Sequence, residues 1–224
     1  YEWWFNRIAA ASKLFDILRI DHFRAFDTYY AIPYPAENAI GGDWDDGPGI
    51  EFFNMMKEKL GDLPIVAEDL GDLFDSVKEL LKETGYPGMK VLEFAFDSGE
   101  ANDYLPHNYT ENCVVYSGTH DNDTLMGWAA KAKPEDVAFA RQYCKMPEWE
   151  TFNWGIIRTA YESVANTAII QMQDILGLGT EARMNVPSTL GGNWVWRIDG
   201  SVLTDELADQ LKEMVINSSR LEEN

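Results

Sequence analysis

The sequence predicts an α/β fold in which β/α units surround a parallel sheet. Two observations carry this reading. Five short apolar or β-branched runs, at residues 14–20, 64–67, 89–96, 113–116 and 168–173, have the length of strands. Between them lie segments with helical periodicity and helix end signals, and strands that alternate with helices build parallel sheets. No internal repeat and no linker divides the 224 residues, so a single domain over 1–224 is expected.

Taken in order, the first element is a helix. Tyr1, Trp4, Phe5 and Ile8 fall on one face at i, i+3, i+4, i+7 spacing. It has no lead-in, so the chain is expected to begin within a domain. The first strand follows at 14–20. Residues 30–49 are rich in Gly, Pro, Asp and Asn and read as a long loop, a common place for substrate contacts. The second strand, 64–67, leads to a helix over 74–84. That helix carries Val77, Leu80 and Leu81 on one face, with Gly85 as its stop and Pro87 beyond. After the strands at 89–96 and 113–116, Pro134 opens a helix that runs through Tyr143. Another helix covers 152–165. The last strand, 168–173, is separated from a closing helix over 205–216, which Thr204 caps.

Composition narrows the function. Hydrophobic residues make up 46% of the chain, enough for a packed core. Lys and Arg total 18 against 38 Asp and Glu, a net charge of −20. Polyanions are repelled, which excludes nucleic acid and anionic membrane surfaces as partners and leaves neutral substrates open. No apolar run reaches the ~18–20 residues of a membrane span. The eight Trp and ten Tyr mostly serve the core, and some are candidates for stacking on flat sugar faces. Cys113 and Cys144 lie in no CxxC or zinc-like spacing, so a cytoplasmic, reducing setting is the default.

The informative feature is the acidic residues at the ends of the strands. Run 14–20 leads into Asp21-His22-Phe23-Arg24, and 64–67 into Glu68-Asp69. Run 89–96 leads into Asp97, 113–116 into the stretch that holds His120, Asp121 and Asp123, and 168–173 into Asp174. The C-terminal strand ends of a β/α barrel form its active face, so these acids would be aimed at one place. Any one of them could simply cap the next helix. Capping, however, does not call for Arg19 two residues before Asp21, on the same side of a strand, where it would hold the carboxylate ionised. Nor does it call for His120 beside Asp121. His107 reads as structural. Paired carboxylates with an Arg and a His suit glycoside chemistry, in which one carboxylate attacks the anomeric carbon and another protonates the leaving oxygen. Clustered carboxylates can also hold a divalent metal, but the chain has no Ca²⁺-loop pattern.

Several motifs together resemble the amylomaltase or disproportionating-enzyme family, glycoside hydrolase family 77. They are Arg19-Ile20-Asp21-His22-Phe23-Arg24, Ile65-Val66-Ala67-Glu68-Asp69-Leu70-Gly71, the segment from Pro87 to Phe96, and Tyr116-Ser117-Gly118-Thr119-His120-Asp121-Asn122-Asp123-Thr124. The segments from Gly177 to Asn185 and from Asn193 to Arg197 complete the match, which runs the length of the chain.

The resemblance implies a TIM (β/α)8-type barrel, here incomplete, with about five β/α units corresponding to strands 4 to 8 and the N-terminal strands missing. It implies a 4-alpha-glucanotransferase that moves α-1,4-glucan segments by a retaining double displacement. Asp21 would be the nucleophile, Glu68 the acid/base and Asp121 the third carboxylate. Arg19 would support Asp21, His120 would bind sugar hydroxyls, and Asp97 and Asn185 would line subsites. Trp194 and Trp196 would pack the domain. Ala25 and Ser188 depart from the usual Gly residues of the family pattern. No cofactor or metal is implied, and the partners would be maltooligosaccharides and α-1,4-glucan. The alternatives are a related α-glucan hydrolase, or an inactive barrel fragment that at most binds glucan and self-associates through open strand edges.

Overall fold

The computed structural model describes residues 1–71, 73–96 and 102–221. The chain divides into two compact units, Tyr1–Met89 and Lys90–Asn224.

The first unit opens with helix α1 (Glu2–Ala11), which buries Phe5 and Ile8. The first strand is shorter than the sequence suggests. Strand β1 is Leu18–Ile20, while Leu14, Phe15 and Ile17 are exposed. The apolar run is continuous, but only its last three residues find a ladder partner, and pairing rather than hydropathy makes a strand. Residues 30–49 are not simply a loop. Strands β2 (Thr28–Ala31) and β3 (Asp43–Asp46) pair antiparallel, with Tyr30 opposite Trp44 and Ala31 opposite Asp43.

Helix α2 (Gly49–Leu60), which the sequence reading missed, buries Phe52, Phe53 and Met56. These side chains pack with Phe5, Phe23 and Phe26 into an aromatic core, the Phe26 ring lying 4.9 Å from both Phe52 and Phe53. Strand β4 (Ile65–Ala67) is buried throughout and pairs in parallel with β1, Arg19 opposite Val66 and Ile20 opposite Ala67. Helix α3 (Asp75–Thr84) ends where expected, at Gly85 with φ 71°. A left-handed stop of this kind favours glycine because any other residue would suffer a Cβ clash.

Strand β5 (Gly88–Val91) gives way at once to a 3-10 turn over Leu92–Phe94, so the long apolar run at 89–96 is half strand. In the second unit, β6 (Cys113–Tyr116) pairs in parallel with β7 (Thr167–Ile169), and the sheet order is β5-β6-β7. Helices α4 (Leu125–Lys131), α5 (Pro134–Tyr143) and α6 (Phe152–Glu162) cross between β6 and β7. Pro134 opens α5 as predicted. After β7 the chain turns into the short helix α7 (Met172–Ile175), where the sequence suggested continued strand. The closing helix α8 (Asp205–Asn217) is capped by the Thr204 hydroxyl, which accepts from the Leu207 N–H at 3.3 Å. Leu92, Phe96, Leu105, Val115, Leu125, Ile156 and Ile157 form the core of this unit. Cys113 and Cys144 are both buried thiols. Among the described residues, no helix is long and apolar enough to cross a membrane.

Candidate active site

Each unit presents its own group of polar residues at strand ends. In the first unit, β1 and β4 run side by side and end together, and the next residues in register are Asp21 and Glu68. Adjacent strands lie ~4.8 Å apart, so the two acids leave the sheet as neighbours. Arg19 Nη2 donates to Asp21 Oδ1 at 2.6 Å, the pairing that same-side placement on a strand predicts. The Asp21 side chain is 74% exposed, so this carboxylate is oriented but open to solvent.

His22 follows in the left-handed region, with φ 50°. That conformation is uncommon for a residue with a Cβ and costs of order 1–3 kcal/mol. It turns the His22 N–H toward Glu68 Oε2, at 2.7 Å, while the Leu70 N–H donates to Glu68 Oε1 at 2.9 Å. The main chain is tied as well, Glu68 N–H to Ile20 O at 2.9 Å and Phe23 N–H to Glu68 O at 3.0 Å. Glu68 is thus positioned by backbone donors on both oxygens. The neighbouring Asp69 plays a structural part instead. It is buried, and its Oδ1 accepts from the Met89 N–H at 2.6 Å.

In the second unit, the loop after β6 carries His120 and Asp121. Its shape comes from Asn122, whose Oδ1 accepts from both the N–H (2.9 Å) and the hydroxyl (2.8 Å) of Thr119. Asp121 Oδ1 accepts from Asn185 Nδ2 at 2.6 Å, and His120 Nε2 lies 3.5 Å from Asp121 Oδ2. Arg183, to which the sequence reading gave no role, donates to the carbonyl of Asp121 at 2.5 Å and to that of Asn185 at 2.8 Å. Trp194 was expected to pack the domain. Instead it is 53% exposed, and its ring sits 5.1 Å from that of His120. Its backbone has φ 62° and its N–H donates to Met184 O at 2.7 Å, a loop geometry that no local pattern announces.

Two acids that the sequence placed among the strand-end candidates are structural. Asp123 is buried against Lys131 Nζ at 2.6 Å and the Thr180 hydroxyl at 2.9 Å. Burial alone would raise its carboxyl, but the bonds from Lys131, the Thr124 N–H and Thr180 outweigh it and hold the group below the usual range. Asp174 has no exposed surface and accepts from the Ser117 hydroxyl at 2.6 Å and the Leu125 N–H at 2.7 Å. Asp97 lies outside the described residues.

The structure therefore brings Arg19, Asp21 and Glu68 together in one unit, and His120, Asp121 and Asn185 together in the other. Among the described residues, no group of three or more His, Cys, Asp or Glu side chains is arranged to hold a metal ion. The geometry offers an oriented exposed carboxylate beside a second carboxyl, and a hydrogen-bonding triplet next to an exposed indole.

Residues 1–204 match glycoside hydrolase family 77, described as 4-alpha-glucanotransferase. The chain belongs to this family. The 4-alpha-glucanotransferase of Clostridium butyricum is 51% identical over 212 residues, which cover 94% of this chain and 44% of that protein. The chloroplastic/amyloplastic 4-alpha-glucanotransferase of Arabidopsis thaliana is 47% identical over 224 residues, covering 99% of this chain and 39% of that protein. Among solved structures, the amylomaltase from Streptococcus agalactiae in complex with acarbose is 43% identical, with a TM-score of 0.93. That match covers 97% of this chain and 44% of the amylomaltase chain. This family member thus spans less than half the length of the relatives it matches.

Proposed function

We propose that this chain carries catalytic residues of a 4-alpha-glucanotransferase that moves α-1,4-glucan segments to a 4-hydroxyl acceptor by a retaining double displacement. The observation that carries the reading is the pair at the ends of β1 and β4: Asp21 held by Arg19 at 2.6 Å, and Glu68 bonded to the N–H of the residue that follows Asp21. Family membership, the names of the relatives and the acarbose complex of a structural neighbour support it.

In the first step Asp21 attacks the anomeric carbon and forms a glycosyl ester, while Glu68 gives its proton to the departing glycosidic oxygen. In the second step Glu68 takes the proton of an incoming 4-hydroxyl, whose oxygen displaces Asp21. Both Glu68 oxygens accept backbone N–H bonds here, so the oxygen that carries the proton turns it away from its donor and toward the sugar. Arg19, bonded to Asp21 at 2.6 Å, holds that carboxylate aimed. Asp121, with His120 and Asn185, binds sugar hydroxyls, and Asp97 contributes to a subsite. Trp194 offers an exposed ring for a sugar face. The chain corresponds, in this proposal, to strands 4 to 8 of a (β/α)8 barrel, its substrates are maltooligosaccharides, and its setting is the cytoplasm.

The test is incubation with maltotriose and separation of the products by mass. A ladder of longer maltooligosaccharides together with glucose is expected, and D21N is expected to remove it and to abolish trapping of a glycosyl ester. Glucose without longer products would replace transfer by hydrolysis. No turnover from a monodisperse chain would show that these residues do not suffice by themselves.

A further inference from the structure

The second unit holds a cavity of about 470 Å³ that the mechanism above does not use. Its walls are helices α6 and α8 and the turn before α6. Trp154, Arg158, Tyr161 and Glu162 line one side, at the i, i+4, i+7, i+8 spacing of one helix face. Gln210, Glu213, Met214 and Asn217 line the other, at i, i+3, i+4, i+7. The walls are fixed to each other. Arg220, just beyond α8, donates to the carbonyls of Tyr161 at 2.7 Å, Ser163 at 2.9 Å and Ala165 at 2.8 Å, around the end of α6.

Trp149 also lines the cavity and is 83% exposed. Its turn is held on the far side of the indole. The Glu150 N–H donates to Pro147 O at 3.0 Å, and Arg158 clamps the Glu150 carboxylate, Nε to Oε1 at 2.8 Å and Nη2 to Oε2 at 2.7 Å. Arg158 also donates from Nη2 to Cys144 O at 2.9 Å and from Nη1 to Glu162 Oε2 at 3.1 Å. Four of its five N–H groups are therefore engaged. Among the described residues, one Nη1–H of Arg158 and Oε1 of Glu162 keep free capacity, a donor beside an acceptor. A sugar ring matches both parts of this lining. Its C–H faces suit the rings of Trp149, Trp154 and Tyr161, and its adjacent hydroxyls each donate and accept. The volume lies within the ~300–1,000 Å³ of small-ligand sites. A second copy of the chain is disfavoured, because each copy carries a net charge of −20 and Glu162 and Glu213 put two acids on this face.

We propose that this cavity binds a neutral saccharide chain, with a ring face on Trp149 and neighbouring hydroxyls on Arg158 and Glu162. It shares no residue with the group around Asp121, so its role is to hold the chain and not to cleave it. That the saccharide is an α-1,4-glucan rests on the proposed function.

The experiment titrates the full chain carrying D21N, which prevents turnover, with maltoheptaose. The indole Nε1–H resonances of Trp149, Trp154 and Trp194 are followed by NMR. Those of Trp149 and Trp154 are expected to move together and saturate. W149A, at an exposed position, should raise the midpoint read at Trp154 by about tenfold, the scale of truncating a contact Trp, and leave the Trp194 titration unchanged. E162A removes a hydroxyl acceptor and should raise the Trp154 midpoint by about threefold. Movement of Trp194 alone would overturn the cavity as a sugar site and leave the proposed function standing. Movement of Trp149 and Trp154 with Trp194 unmoved would keep the cavity and remove Trp194 from the reading of the active site. No movement at any of the three, or a Trp154 midpoint that W149A does not change, overturns the proposal.

Discussion

Burial lets Glu93 keep its proton up to about pH 9, and Asp174 up to about pH 6, where the unfolded chain would have lost both. Burial, then repulsion from Asp174 and Asp123, raises Glu93 from 4.5 to about 9. Burial, the main cause, raises Asp174 from 3.8 to about 6 against the bonds from Ser117 and Leu125. Where the folded form binds more protons than the unfolded one, stability falls as pH rises. For Glu93 that window runs from its unfolded value of 4.5 up to about 9, with stability greatest below it. E93Q carries no such proton, so its melting temperature relative to the unsubstituted chain should climb steadily from acid to alkaline pH across that window. Thermal unfolding followed by circular dichroism at several pH values checks this, and a pH-independent difference would refute it. Such residues were barely legible in the sequence. Asp21 and Glu68 stand out because each directly follows a strand inside a contiguous motif, Asp121 because it lies in the motif that follows another, and Arg19 is found by the two-residue period of a strand. Glu93, Arg183 and Trp194 matter through partners far away in the chain, and no spacing rule reaches them. Asp174 shows the converse error: it follows an apolar run, but that run ends in a helix turn and buries it.

Helix ends link the elements to the site. Thr124 closes the loop that carries Asp121 and caps α4, its hydroxyl accepting from the Gly127 N–H at 3.0 Å. Its own N–H donates to Asp123 Oδ1 at 2.8 Å, so one residue joins the helix start to the loop. Losing an N-cap hydroxyl typically costs ~1 kcal/mol. Ser and Ala at this position both lack the threonine methyl and differ only in the hydroxyl. T124A should therefore be less stable than T124S by about 1 kcal/mol, or about 2–4 °C in melting temperature for a domain of this size. Equal melting temperatures for the two would remove the cap from the account. At this scale the sequence was readable wherever end signals are local: Gly85, Pro134 and Thr204 do what their residue types dictate. It failed where pairing is not local. Asp43–Asp46 is exposed along its length and reads as loop, and it becomes a strand because Thr28–Ala31 lies beside it and Tyr30 packs on Trp44 at 5.2 Å. Helix α2, just beyond the expected loop, drew no reading, although Phe52, Phe53 and Met56 carry a helical spacing.

Across the whole chain, alternation of strands and helices was the signal that survived, because parallel pairs such as β6 with β7 need long crossovers, and the helices expected over 134–143 and 152–165 lie in that one. Charge is the other property that belongs to the chain as a whole. With 38 acids against 18 basic residues it carries a net charge of −20, yet the ligands proposed for it are uncharged maltooligosaccharides. A field of this sign repels anions and concentrates cations, and it exerts no net force on a neutral sugar. In the proposed reading, recognition then comes from short-range groups: hydroxyls bonded by Asp121, His120 and Asn185, and a face laid on Trp194. Short-range hydrogen bonds and stacking are not screened by salt, whereas charge attraction is. Raising the ionic strength from about 0.01 M to about 1 M shortens the Debye length from about 30 Å to about 3 Å. Over that range the dissociation constant for a neutral maltooligosaccharide, measured by calorimetry, should change by less than about twofold, because no ion pair is broken or formed on binding. A steep dependence on salt would mean that charge holds the ligand, and a neutral glucan would then be the wrong substrate class for this site.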